Sequence, residues 1–299
     1  MNLLVYGIPG FKLSKRIIAD KVAYLESLGV QFACNICVGK DVMVDRLLRE
    51  FDAVFLGVGA PAGNKAKIPG EDLRGIYQAT EFLIRSNLPL EDLPAALRAR
   101  PEIGRHVAVI GGGDTAMDCV RTAKRLQIQN GIDGDVTDYY RRTEKEMPGR
   151  AEERMHARQE GVRFEFLVAP VRFIGDASGH VRQIEMQKMR LGKPDASGRA
   201  RPEPIEGANE IVDADVAVLA LGYNADPLIA SATPNLQTTR WGTLVVENEE
   251  TGATTRAGVY AAGDDVRGAD LVVTAVAAAR QAASAMDAWL KNNSARRAI

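Results

Sequence analysis

Residues 106–120 read HVAVIGGGDTAMDCV. Val-Ala-Val-Ile is a short, continuous apolar run, the pattern of a strand buried on both faces. Three glycines then turn the chain, and a helix follows. The spacing Gly111-x-Gly113-x-x-Ala116 gives each small residue a purpose. Gly111 permits the tight turn, Gly113 lets a pyrophosphate approach the backbone, and Ala116 lets the helix pack against the strand. The helix N-terminus supplies unpaired N–H groups and a positive dipole, and Thr115 adds a hydroxyl donor. Strand, glycine turn and helix in this order predict a dinucleotide site; the plainer alternative is a structural glycine-rich turn.

Which dinucleotide depends on the end of the next strand, VTDYYRR. A ribose 2′-hydroxyl calls for a carboxylate there, whereas a 2′-phosphate calls for arginine, which is planar, always charged and bidentate. Arg141 and Arg142 stand at the strand's end, with Lys145 and Arg150 behind them. The rival is Asp138, closer to the usual carboxylate spacing but earlier in the strand. The arginine pair favours NADPH over NADH, unless the turn is merely a solvated basic one.

Because this turn begins only at residue 111, the flanks matter. Residues 13–28 place Leu13, Ile17, Ile18, Val22, Leu25 and Leu28 at helical spacing, with Ser14 as N-cap and Gly29 as stop. A strand over Val30 to Cys34, a helix near Val42 to Glu50 and the strand DAVFLGVG are expected next. This alternation implies a parallel sheet covered by helices. Pro61 to Gly70 suits a crossing between domains, and a helix is expected near Ile76 to Arg85. From Val162 to Gly222 the helix signal vanishes, and FEFLVAPVRFI, HVRQIEMQKMRL and EIVDADVAVLALG read as antiparallel hairpins with Asp-Ala-Ser-Gly turns at 176–179 and 195–198.

DAVFLGVG (52–59), DADVAVLALG (213–222) and AGVYAAGD (257–264) are each a small-residue-rich strand ending in, or next to, glycine. Backbones ending this way, at Gly222 or at Gly263-Asp264, can approach a ligand closely, so the three ends suggest two nucleotide sites; otherwise they are core strands. After Asp264 a short loop leads to an Ala-rich helix starting near Asp270. An acid at such a strand end can hold polyol hydroxyls, and a helix N-terminus can face an electron-rich ring edge; the bland reading is a capped helix after a strand.

The 299 residues suggest about two domains. With 46% hydrophobic and 26% charged residues the chain reads as an ordinary globular α/β protein. A formal net charge of -1 offers no basic stripe for nucleic acid or an anionic membrane. No apolar stretch is long enough to span a bilayer and no secretory signal pattern opens the chain, so a cytoplasmic location is expected. Three cysteines argue against a disulfide framework and are too few for a four-thiolate iron–sulfur cluster. Cys34-Asn-Ile-Cys37 could be a redox pair, but an extended chain points i and i+3 to opposite faces, so buried apolar cysteines are the default. His106, His156 and His180 show no metal-ligand spacing.

Taken together, LLVYGIPGFKLSK, AVIGGGDTAMDCVRTA, YYRRTEKEMPG, TRWGTLVV and AAGDDVRGADLVVTAV resemble the small (beta) subunit of bacterial NADPH-dependent glutamate synthase, among the two-dinucleotide-domain flavoprotein reductases. The resemblance runs from about Asn2 to Leu290, in the family's order. It implies oxidation of NADPH in one Rossmann-like domain, hydride transfer to FAD in the other, and electron flow through iron–sulfur clusters to a large subunit or another acceptor. It makes Gly111, Gly112, Gly113, Asp114, Thr115 and Ala116 the NADPH pyrophosphate turn, and Arg141 and Arg142 the 2′-phosphate clamp. Gly263, Asp264, Leu271 and Val272 become the flavin-side contacts, with Tyr6 to Pro9 nearby; Gly222, at its strand end, is a further cofactor-binding candidate. No side-chain acid or nucleophile is nominated for catalysis.

Family members carry, upstream of the Leu-Leu-x-Tyr-Gly-Ile-Pro stretch, a cysteine-rich cluster domain and a first glycine-rich βαβ unit for the ADP half of FAD. Here the sequence starts at Met1, just before Leu3. The expected architecture is therefore a Rossmann-like NADPH domain (62–221) inserted into an incomplete FAD-binding Rossmann-like domain (1–61 and 222–299). Besides the flavoprotein reductase, two readings remain: an NADPH-binding module without flavin that needs a partner chain, and a disulfide reductase using Cys34 and Cys37.

Overall fold

The computed structural model describes residues 3–194 and 198–297. The chain divides into two compact units, Met1–Gln31 with Lys65–Leu221, and Phe32–Asn64 with Gly222–Ile299.

The first unit is built on a five-stranded parallel sheet in the order Ile76–Gln78, Val216–Ala220, His106–Gly111, Asp135–Tyr140, Arg163–Phe166. The glycine-turn strand is its centre. Val107 and Val109 face one side, with Val136, Tyr140, Val216 and Val218, beneath the helices Ala79–Asn87, Asp114–Gln129 and Ala151–Gln159. Ala108 and Ile110 face the other, with Tyr139, Ala217 and Leu219, against Val168, Phe173, Val181, Ile184 and Met186. That second layer is an antiparallel sheet of Val168–Gly175, Val181–Pro194 and Ala200–Asp213. Both faces of the central strand are thus dry, which is why it reads as an unbroken apolar run.

Three expectations are corrected. Arg163–Phe166 and Val216–Ala220 are parallel strands of the main sheet, so the antiparallel region is confined to 168–213. An apolar run carries no information about the direction of its neighbour. Ile76–Gln78 is a strand, and the helix begins at Ala79. No strand forms over Val30 to Cys34. Of the two Asp-Ala-Ser-Gly turns, the first closes the hairpin at Gly179, whose φ is +75°; residues 195–197 of the second lie outside the described residues.

Residues 1–31 pack with 65–221, whereas the sequence grouping placed 1–61 with 222–299. Polar anchors account for this. Lys12 pairs with Asp118 at 2.7 Å and Glu153 at 3.1 Å, the Phe11 ring lies 4.6 Å and 4.1 Å from the Arg121 and Arg125 guanidinium carbons, and Asn87 Nδ2 donates to the carbonyls of Tyr6 and Gly7. The Lys15–Ser27 helix itself buries no residue. Ile17, Leu25 and Leu28 are exposed, while Ile18 and Val22 are half-buried.

In the second unit, Val54–Leu56 pairs in parallel with Val259–Ala261, and Ala62–Gly63 pairs antiparallel with Tyr223–Asn224. Val44, Leu56, Ile229, Leu236, Leu244, Val259 and Ala261 form a separate small core. The helix Val272–Arg297 follows. Among the described residues no helix is long and apolar enough to cross a membrane.

Candidate dinucleotide site

The turn is packed so closely that glycine is required twice. A Cβ on Gly111 would lie 2.5 Å from the Ala220 carbonyl oxygen on the neighbouring strand and 3.1 Å from the Ala116 Cβ; one on Gly112 would enter the Tyr140 ring. Gly113 is different: a Cβ there would meet nothing within 4 Å. It is the N-cap of the Asp114–Gln129 helix, so the one open flank of the turn leads to that helix's free N–H groups. Ala116 is fully buried against the strand, as its small side chain allows, while Asp114 and Thr115 are half-buried at the helix start. The cradle fits a pyrophosphate: open backbone where the anion would sit, tight packing elsewhere.

At the end of the next strand the arginines part company. Arg141 is exposed, while Arg142 is buried and its Nε donates to the Ala200 carbonyl at 2.7 Å. Asp138 is completely buried inside the strand, and neither carboxylate oxygen finds a hydrogen-bond partner among the described residues. Burial pushes its carboxyl well above the usual carboxylate range. The rival carboxylate is thereby removed from the site.

Sequence reasoning missed the second wall of the turn. Gly149 N donates to the Gly112 carbonyl at 2.9 Å, Arg150 binds the Asp114 carboxylate through both its backbone N and its Nε at 2.8 Å each, and the Tyr140 hydroxyl donates to the Glu146 carbonyl at 2.9 Å. Met147-Pro148-Gly149 was the available signal, since Pro-Gly marks a tight turn.

In the second unit, Gly263 adopts φ +101° and ψ −148°, a conformation open to glycine alone, and caps the short helix Asp264–Arg267. Burial raises the Asp264 carboxyl. Asp265, not singled out from sequence, is almost fully buried. Its Oδ2 accepts the Val58 N–H at 3.3 Å, its Oδ1 has no partner among the described residues, and desolvation pushes its carboxyl up to about 7. Leu271 immediately precedes the Val272–Arg297 helix, so both predicted residues sit at a helix N-terminus, and Gly222, at φ +89°, accepts from the Asn64 N–H. A cavity of about 280 Å³ in this unit is walled by Tyr223, Asn224, Trp241, Thr243 and Arg267.

The predicted residues divide between the two units, Gly111 to Ala116 with Arg141 and Arg142 in the first, and Gly222, Gly263, Asp264, Leu271 and Val272 in the second. Cys34 and Cys37 are both exposed, correcting the buried default, and only Cys119 is buried. Asn35, at φ +60°, breaks the extended geometry used to set the pair apart. No group of three or more His, Cys, Asp and Glu side chains suited to a metal occurs among the described residues.

The five-stranded parallel sheet and its tight glycine turn make a Rossmann-like fold. The family model of pyridine nucleotide-disulphide oxidoreductases matches residues 20–279, and the chain belongs to that family. It is 43% identical to the glutamate synthase [NADPH] small chain of Azospirillum brasilense, over 97% of this chain and 59% of that one. It is 36% identical to the NADP(+)-dependent formate dehydrogenase subunit beta of Moorella thermoacetica, over 97% of this chain and 39% of that one. FprA of Mycobacterium tuberculosis, solved in complex with NADPH, shares the fold, with a TM-score of 0.73 at 21% identity over 99% of this chain and 76% of that one. The chain thus spans little more than half the length of the first of these relatives and well under half of the second.

Proposed function

We propose that the chain is the NADPH-oxidising part of a cytoplasmic flavin-dependent reductase of the glutamate synthase small-chain type. The observation that carries this is the Gly111–Ala116 cradle, open only beside Gly113, one strand away from an exposed Arg141 and a fully buried Asp138. A 2′-phosphate finds a guanidinium at that strand end, and a free ribose diol finds no carboxylate. These residues all fall within 62–221, the stretch expected from the sequence to be the NADPH domain.

Gly263, Asp264 and the helix start at Leu271 and Val272 would hold FAD, the Asp264 carboxylate meeting polyol hydroxyls and the helix N–H groups the ring edge. When bound, the two cofactors supply hydride transfer from the nicotinamide to the flavin. The protein's own part is to bind, orient and exclude water, and no side-chain acid or nucleophile is assigned. Onward electrons would go to a large subunit, a reading supported by the glutamate synthase small-chain relatives, or to another acceptor.

The test is absorbance of the purified chain titrated with NADPH and NADH. A flavin spectrum bleached by NADPH is expected, with Arg141→Ala weakening NADPH binding selectively. Tighter binding of NADH than of NADPH would overturn the cofactor assignment. The second reading, an NADPH-binding module completed by a partner chain, is favoured by the parallel pairing of only two strands among the described residues of the second unit, Val54–Leu56 and Val259–Ala261. A colourless protein that still binds NADPH would select it.

A further inference from the structure

Asp114 poses an electrostatic problem. It is the first residue of the Asp114–Gln129 helix, so its carboxylate lies beside the N–H groups that would receive a pyrophosphate. A carboxylate interacts well with the helix dipole, but it repels any second anion brought to the same place. Arg150 answers the problem geometrically. Its backbone N donates to Asp114 Oδ1 and its Nε to Oδ2, a bidentate, charge-assisted grip with each distance 2.8 Å.

The grip belongs to a larger brace. The Gly149 N–H holds the Gly112 carbonyl, and a Cβ on Gly149 would come within 3.0 Å of the Gly112 oxygen and the Gly113 carbonyl carbon, and 3.2 Å from Asp114 N. Arg154 donates from behind to the Gly149 carbonyl, and Arg150 Nη2 reaches Glu153 at 3.3 Å. The Gly112–Asp114 peptides are therefore pinned from the side of the 149–150 loop, leaving only the Gly113 flank open.

We infer that Gly149-Arg150 is a positioning element of the nucleotide site: Arg150 cancels the Asp114 charge at the helix N-terminus and, with Gly149, fixes the peptides that meet the pyrophosphate. This inference rests on the dinucleotide reading above. The contact is common to all dinucleotides and blind to the 2′-phosphate, which separates Arg150 from Arg141.

Titration of the chain with NADPH and with NADH, followed by nicotinamide fluorescence, tests it. Arg150→Ala should raise Kd about tenfold for both, leaving their ratio unchanged, while Arg141→Ala should lower the preference for NADPH. The double variant Asp114→Asn with Arg150→Ala should recover most of the loss, because the uncancelled charge is gone; a purely structural role for Arg150 would show no such recovery. Gly149→Ala should weaken both nucleotides, with the fold checked by circular dichroism. Arg150→Gln, which keeps the side-chain length, gives the same reading should the alanine variant not fold. A Kd for Arg150→Ala within twofold of the parent overturns the inference, as does a loss confined to NADPH. A parent chain that binds neither nucleotide overturns the dinucleotide reading itself, and this one with it.

Discussion

Each unit contains a buried strand that runs into a glycine and then a helix, yet the two turns are supported in opposite ways. The strand ending at Gly111 has parallel neighbours on both sides and a packed layer on each face. Its glycines are required by what surrounds them. The strand ending at Ala261 has a parallel partner on one side, Val54–Leu56, and its glycine is required by backbone conformation, since a Cβ on Gly263 meets only the Ala275 side chain and Cα, 3.5 Å and more away. A glycine in a turn can thus answer to crowding or to dihedral angles, and the two should respond differently to substitution.

The largest effect is expected at the crowded turn. Gly111→Ala should cost about 3 kcal/mol or more and abolish NADPH binding, because the clash is with backbone of the next strand and cannot relax through a side chain. Thermal unfolding and nucleotide titration check it. Next comes the buried acid of the second unit. Asp265 keeps its proton up to about pH 7 in the folded chain but only to about 4 when unfolded, so its contribution to stability is full below about pH 4 and is lost as pH rises to 7. Asp265→Asn should therefore gain stability relative to the parent across that window, on the order of 3 kcal/mol at neutral pH, and a pH-independent difference would sink the assignment. In the first unit Asp118, raised to about 6 by burial against the pull of Lys12, gives the same sign over a window that closes a unit earlier.

Gly263→Ala should cost about 1–2 kcal/mol, the strain of a non-glycine residue at that φ and ψ; an effect equal to that of Gly111→Ala would erase the distinction between the turns. The smallest effect belongs to the amino-terminal helix. Ile17→Ser should change stability by no more than about 0.5 kcal/mol, because the side chain is already exposed.

The candidate site was partly legible. HVAVIGGGDTAMDCV gives strand, turn and helix at 106–111 and 114–129 because burial on both faces makes the strand uniformly apolar and the turn's crowding leaves only glycine. Arg141 and Arg142 look equivalent in the sequence, and only the packing of the Ala200–Asp213 strand takes Arg142 out of solvent. Asp138 is a plausible ribose ligand by spacing alone; its burial inside the sheet is a matter of which face of the strand the α-helical layer covers. Arg150 was visible as a basic residue near the turn, but its partner Asp114 is 36 positions away, beyond any local pattern.

By itself, then, the amino-acid sequence determined the local elements around 106–142 and the chemistry they can perform, since strand periodicity, glycine spacing and charge are properties of neighbours along the chain. Tertiary structure alone decided the parallel direction of Arg163–Phe166 and Val216–Ala220, the attachment of residues 1–31 through Phe11 and Lys12, and the burial of one arginine of a pair. Those outcomes depend on which surfaces meet in space, and a residue's hydrophobicity or charge states what it can contact without saying what will be there.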